Sequence, residues 1–146
     1  MMMTSYVVLA LFSSLTAKDL LDRCIAYHDP HGRFLYLYGL PMKLRDPGTR
    51  LDPRVKETSF QGKPAYELRV TYDKSVGTDT WYFYLDRKTC ALIGHRFHHD
   101  EAAGDGEYTV LSDEISGEGL TLPRVRKWYR NQGNEFFITH TILSIR

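Results

Sequence analysis

The pattern of apolar and polar positions changes period once along the chain. From Ala17 to His28 the apolar residues Leu20, Leu21, Cys24, Ile25 and Tyr27 recur near the helical period, which predicts an amphipathic helix. Asp29-Pro30-His31-Gly32 ends it, because proline cannot continue the hydrogen-bond ladder and glycine permits a turn. Phe34 to Tyr38 is a short, aromatic-rich run that reads either as a buried strand or as the start of a short helix through Leu44. Asp46-Pro47-Gly48 and Asp52-Pro53 carry turn chemistry and predict a loop from Asp46 to Pro53.

Beyond that loop the period is two. Tyr66, Leu68, Val70 and Tyr72 face one way, and Glu67, Arg69 and Thr71 face the other, the signature of a half-buried strand. A strand from Arg54 to Phe60 precedes it across the turn at Gln61-Gly62. Further strands are expected at Thr80 to Asp86, Ala91 to His99, Glu107 to Glu114, Leu120 to Arg130 and Phe136 to Ile145. No helical pattern interrupts them. The fold class is therefore mainly β with an N-terminal helix, an antiparallel up-and-down meander of about seven strands.

Register follows from keeping apolar side chains on one face. If the loop at Lys74 to Thr78 closes a hairpin, Val70 pairs with Trp81, Leu68 with Phe83 and Tyr66 with Leu85. Pairing Leu85 with Ala91 then sets Phe83 against Ile93. The outcome is a continuous patch of Tyr66, Leu68, Val70, Trp81, Phe83, Leu85, Ile93 and Phe97. Such a face is either a core covered by the helix or the lining of a concave ligand site.

Composition narrows the function classes. A chain of 146 residues forms one domain with a real core, and a net charge of +1 supplies no global field to gather nucleic acid or acidic lipid. Cys24 and Cys90 allow one bridge at most, not a disulfide framework. The apolar run from Tyr6 to Leu15 is too short for a stable membrane span. Its length suits a signal peptide over 1–17 with Ala17 before the cut, although no Lys or Arg precedes it and Leu15 is a poor residue two before Ala17. The expectation is a periplasmic or secreted protein with one domain over 18–146. Cys24 follows Leu21-Asp22-Arg23, which is not a lipid-attachment context.

Candidate chemistry is sparse. His95, His98, His99 and Asp100 invite a metal hypothesis, since imidazole and carboxylate suit zinc. Strand alternation argues against it: His95 and His99 share a face about 13 Å apart at about 3.3 Å per residue, and His98 points to the other. Only a bulge at His98-His99 would bring them together. Asp73, Asp79 and Asp86 flank one strand as ordinary turn residues and have no reason to converge. The acidic loop from Asp100 to Glu107 lacks the spacing of a calcium loop. Arg124, Arg126 and Arg130 alternate to one face with Trp128; they could hold phosphates or lipid head groups, but a solvated strand face is the commoner meaning of such a pattern. No phosphate loop, nucleophile elbow or CxxC occurs. The residues therefore predict no catalytic site, no metal and no cofactor.

YLYGLPMKLRDP (36–47), DTWYFYLD (79–86) running into LIGHRF (92–97), and the opening LLDRCIAYH (20–28) resemble a branch of the outer-membrane lipoprotein-carrier superfamily, the LolA/LolB-like fold. The resemblance covers the helix and nearly everything after Phe34. It implies a curved, incomplete (half) β-barrel around a helical plug, with a hydrophobic concave face that holds acyl chains. Apolar contact alone suits such a ligand, at about 0.8 kcal/mol per buried CH₂. Here His28 leads almost at once to Phe34, where the superfamily has a run of strands. The resemblance thus implies a shortened barrel with an open edge near Arg54 to Phe60.

Three functions are consistent with these observations. The first is a non-enzymatic carrier binding a lipid or lipoprotein acyl chain, or another hydrophobic ligand, on the aromatic patch. The second is a protein-interaction module using the same face or an open edge, including self-association. The third is a metal-dependent enzyme at His95, His98 and His99.

Overall fold

Helix α1 spans Ala17–His28 and begins with a reciprocal cap. Asp19 N–H donates to Thr16 Oγ1 at 3.1 Å, and Thr16 N–H donates to Asp19 Oδ2 at 3.0 Å. In the computed structural model, which describes residues 15–32 and 44–145, the inner face of α1 is Ala17, Leu20, Leu21, Cys24, Ile25 and His28. His28, not Tyr27, completes the buried stripe, because it stands three and four residues after Ile25 and Cys24. Tyr27 flanks that stripe and donates its hydroxyl to Glu114 at 2.7 Å. The segment 1–14 and the run from Phe34 to Tyr38 lie outside the described residues.

The sheet strands are β1 (Thr49–Leu51), β2 (Lys56–Phe60), β3 (Lys63–Tyr72), β4 (Thr80–Asp86), β5 (Leu92–His98), β6 (Glu107–Gly117), β7 (Leu120–Arg130) and β8 (Phe136–Thr141). They form one open antiparallel sheet. From β3 to β8 each strand neighbours the next in sequence, and β1 and β2 both pair with the outer edge of β3. The meander expected from the period-two pattern is present, with eight strands rather than seven. The extra strand is β1, inside the segment expected to be a loop. Its three residues lie between Asp46-Pro47-Gly48 and Asp52-Pro53, too short a run for alternation to register. The two tightest hairpins turn at Gln61-Gly62 (φ 50° and 76°) and Glu118-Gly119 (φ 51° and 76°), where glycine accepts the left-handed backbone.

The predicted β3–β4 register is observed: Val70 opposite Trp81, Leu68 opposite Phe83 and Tyr66 opposite Leu85. The β4–β5 register is not. Leu85 pairs with Leu92 and Phe83 with His95, with a shift between Tyr84 and Leu85. The turn from Asp86 to Ala91 is one residue longer than expected, which brings Leu92 opposite Leu85, and Ile93 is then the extra residue of a bulge between Leu92 and Gly94, so His95 and Phe97 keep the expected face while Ile93 does not. Ile93 therefore leaves the predicted patch. It packs on the opposite face against a second cluster formed by Phe60, Ala65, Tyr84 and Tyr108. There the Phe60 ring stacks on Tyr84 at 4.1 Å, over a point where only Gly94 leaves room: a Cβ on Gly94 would lie 2.1 Å from that ring.

The main core lies between α1 and the other face of the sheet. Leu20, Leu21, Cys24 and Ile25 pack with Leu68, Val70, Phe83, Leu85, Leu92, Leu111, Leu120 and Leu122. Complete burial of each leucine contributes about 2 kcal/mol. Cys24 and Cys90 are both buried free thiols. Among the described residues no helix is long and apolar enough to cross a membrane.

Candidate ligand-binding groove

Alternation along β3 to β8 places one row of side chains after another on the face that α1 occupies. Nearest α1 the rows are apolar: Leu68, Val70, Phe83 and Leu85 are almost wholly buried beneath it, and Tyr66 is packed at the margin. Four of the predicted patch residues thus belong to the core. The rows farther away are not covered by α1. There Trp81, Phe97 and Trp128 are half-buried, and with His95, Arg126 and His140 they line a groove of ≈ 510 Å³. That volume lies within the usual range of small-molecule sites, about 300–1,000 Å³.

The groove has an aromatic wall and a polar floor. Trp81 stacks on Phe97, ring centroids 4.9 Å apart at 27°, and on Phe83 at 6.0 Å. His95 meets Trp81 at 5.7 Å and the edge of Trp128 at 5.6 Å. Across the floor His95 pairs with Thr109, and Thr109 with Trp128; Leu111 pairs with Arg126 one row nearer α1. Four polar atoms in these two rows are buried and have no hydrogen-bond partner among the described residues: His95 Nδ1, Thr109 Oγ1, Trp128 Nε1 and Arg126 Nε. Buried polar atoms are nearly always paired, since leaving one unpaired costs about 1–3 kcal/mol. A cluster of four is a departure that calls for an explanation.

Electrostatics marks the same spot. Burial, with the Arg126 charge acting in the same direction, lowers the His95 pKa to about 4, so its ring is neutral at physiological pH. Burial also lowers the pKa of Arg126, and no carboxylate among the described residues perturbs it. Aspartate and glutamate stand at the outer end instead. Asp79 pairs with His99 at 2.8 Å and raises its pKa, and Glu107 lies opposite Arg130.

The histidine cluster is divided as alternation predicts. His95 and His99 line the groove, while His98 turns to the other face and meets the edge of Tyr82 at 6.1 Å. No group of three or more His, Cys, Asp or Glu among the described residues could hold a metal ion. Asp73 pairs with Arg50 at 2.5 Å and Asp86 caps the turn at Lys88 and Thr89, so the three aspartates do not converge. In the acidic loop Asp105 accepts from the His99 and Asp100 amides, and Glu101 binds Arg69 and Tyr82. These are turn and surface contacts.

A family of unknown function, DUF6503, matches residues 11–144. The chain belongs to the DUF6503 family. No curated protein and no solved structure matches it. For this DUF6503 chain the groove geometry is therefore the main guide to function. Arg126 and Trp128 share one face, as their alternation predicts, but that face is the concave one and not a solvated one. Arg124 and Arg130 are exposed. The charged, polar half of the groove was missing from the apolar patch because only apolar residues were used to trace it.

Proposed function

We propose that the chain is a non-enzymatic, carrier-like protein, exported to the periplasm or secreted, that binds an acyl chain or another hydrophobic ligand on its concave face. One observation carries the reading: α1 covers only part of the aromatic face, and the uncovered part is a groove walled by Trp81, Phe97 and Trp128. Burying ligand CH₂ groups against those rings stabilises a complex by about 0.8 kcal/mol each, without requiring shaped polar contacts. The resemblance to lipoprotein carriers points to the same ligand class.

Both tryptophans of the chain line the groove, so intrinsic fluorescence reports on it directly. Titration with 1-decanol or a palmitoylated peptide is expected to give a saturable change, abolished by Trp81→Ala with Phe97→Ala. A flat titration, with native circular dichroism, would sink the carrier reading.

A second reading rests on the outer edge of the sheet. Among the described residues strand β8 pairs only with β7, and Phe136, Phe137 and Ile138 on it are 51%, 42% and 39% exposed. An open edge with apolar residues on both sides favours pairing with another chain. Concentration-dependent sedimentation, lost on Ile138→Lys, would favour an interaction module over a carrier.

A further inference from the structure

We propose that the groove takes an amphiphile with a single carboxylate head, which docks on Arg126 beside His95 and Trp128 while its apolar tail runs over Trp81 and Phe97. This rests on the carrier reading and names the ligand class for it.

The argument starts from unmet hydrogen bonds. Trp128 Nε1 and Arg126 Nε can only donate, and both are buried without an acceptor among the described residues. His95, 5% exposed, has an unpartnered Nδ1 that can donate in one tautomer, and the fully buried Thr109 hydroxyl can do so too. His95, Arg126 and Trp128 all line the groove, and unmet donors in its lining call for an acceptor-rich group. A carboxylate offers two oxygens and about four lone-pair sites, and matches the guanidinium fork in two parallel bonds.

Charge selects the head further. Arg126 is the one fixed cation among the described groove residues. A monoanion balances it. A dianionic phosphate would need a second cation, and the remaining fixed charges in the lining, Asp79 and Glu107, are negative. His95, held neutral at physiological pH, adds no second positive charge beside Arg126, and His99, whose pKa is raised, is paired with Asp79 at the outer end. Those acidic groups stand at the Trp81–Phe97 end, away from Arg126, because Glu107 lies opposite Phe97 and Leu111 lies opposite Arg126. An anionic head is thereby directed inward, toward the row next to α1, and the tail outward along the aromatic wall.

Calorimetry on the full chain near neutral pH, with decanoate, 1-decanol and decyl phosphate as probes, tests this. Decanoate is expected to bind about tenfold or more tighter than 1-decanol, the gain of a charge-assisted pair. Arg126→Gln is expected to erase that difference, bringing decanoate down to the affinity of 1-decanol. Equal binding of decanoate and 1-decanol to the native chain would overturn the head-group assignment while leaving the carrier reading intact. So would a preference for decanoate that survives Arg126→Gln, or tighter binding of decyl phosphate. Failure of all three probes would remove both readings. Should Arg126→Gln not fold, the comparison of probes on the native chain decides alone.

Discussion

Two buried histidines sit on the same side of the sheet and behave in opposite ways. His28, on α1, is fully used: its Nδ1 donates to the Thr121 carbonyl at 2.6 Å and its Nε2 accepts from the Leu92 amide at 2.8 Å. It ties the helix to two strands at once. His95, in the groove, is as deeply buried and has an unpartnered Nδ1 in a row of other unpartnered groups. The covered half of the concave face satisfies its polar atoms, and the open half does not. A closed core has no reason to retain such a cluster, whereas a site that receives a polar ligand does.

The largest test of the contrast lies in the apolar rows. Leu20→Ala, beneath α1, is expected to cost about 3 kcal/mol, since it removes a fully buried side chain and leaves a cavity. Phe97→Ala, in the open half, should cost about 1 kcal/mol, because its ring is only half-buried. Urea unfolding of the two variants measures both, and equal losses would mean that the two halves are one core.

Next come the histidines. His28→Ala strands the Thr121 carbonyl and the Leu92 amide and should destabilise the fold by about 3 kcal/mol. His95→Phe keeps the aromatic contacts and removes an unpaired nitrogen, so it is expected to be neutral within about 1 kcal/mol, or stabilising. A loss with His95→Phe as large as with His28→Ala would break the comparison.

Acid sharpens it. Both imidazoles have pKa values lowered by burial, so between pH 6.5 and about 4 the unfolded chain binds protons that the folded chain refuses. Stability is then fully present above about pH 6.5 and falls as the solution is acidified. For His95 alone the loss by pH 4 is about 3 kcal/mol. Chemical denaturation at pH 7 and pH 4 should show His95→Phe losing less than the native chain by an amount of that order. A difference indistinguishable from zero would mean that His95 is not held neutral.

What could be read from the chain follows the same division. Period-two alternation placed β3, β4 and β7, and the helical period with the stop at Asp29-Pro30 bounded α1, because these signals are local. Local too was the pairing of Trp81 with Val70. The slip between Tyr84 and Leu85 was not legible, since it is a bulge at Ile93 within an otherwise regular strand pair, which no residue type there announces. Hence Ile93 was assigned to the wrong face. Arg126 and Trp128 were seen to share a face, but which face the helix would leave open is a property of tertiary packing. So the floor of the groove could be found only after α1 was in place.

The smallest effect concerns the cover itself. Thr16 caps α1, Ala17 is buried, and Leu15 packs against the core, so residues on both sides of the cut expected after Ala17 take part in the fold. Thr16→Ala should cost about 1 kcal/mol, the usual value of a lost N-cap. If the two halves of the face are separable, that loss should leave tryptophan emission and 1-decanol affinity unchanged, because Trp81 and Trp128 lie in rows that α1 does not cover. A shift in either would mean that the first turn of α1 shapes the groove. Mass analysis of the isolated chain bears on the same point: cleavage before Leu15 would preserve the cap, and cleavage after Ala17 would remove Thr16 from it.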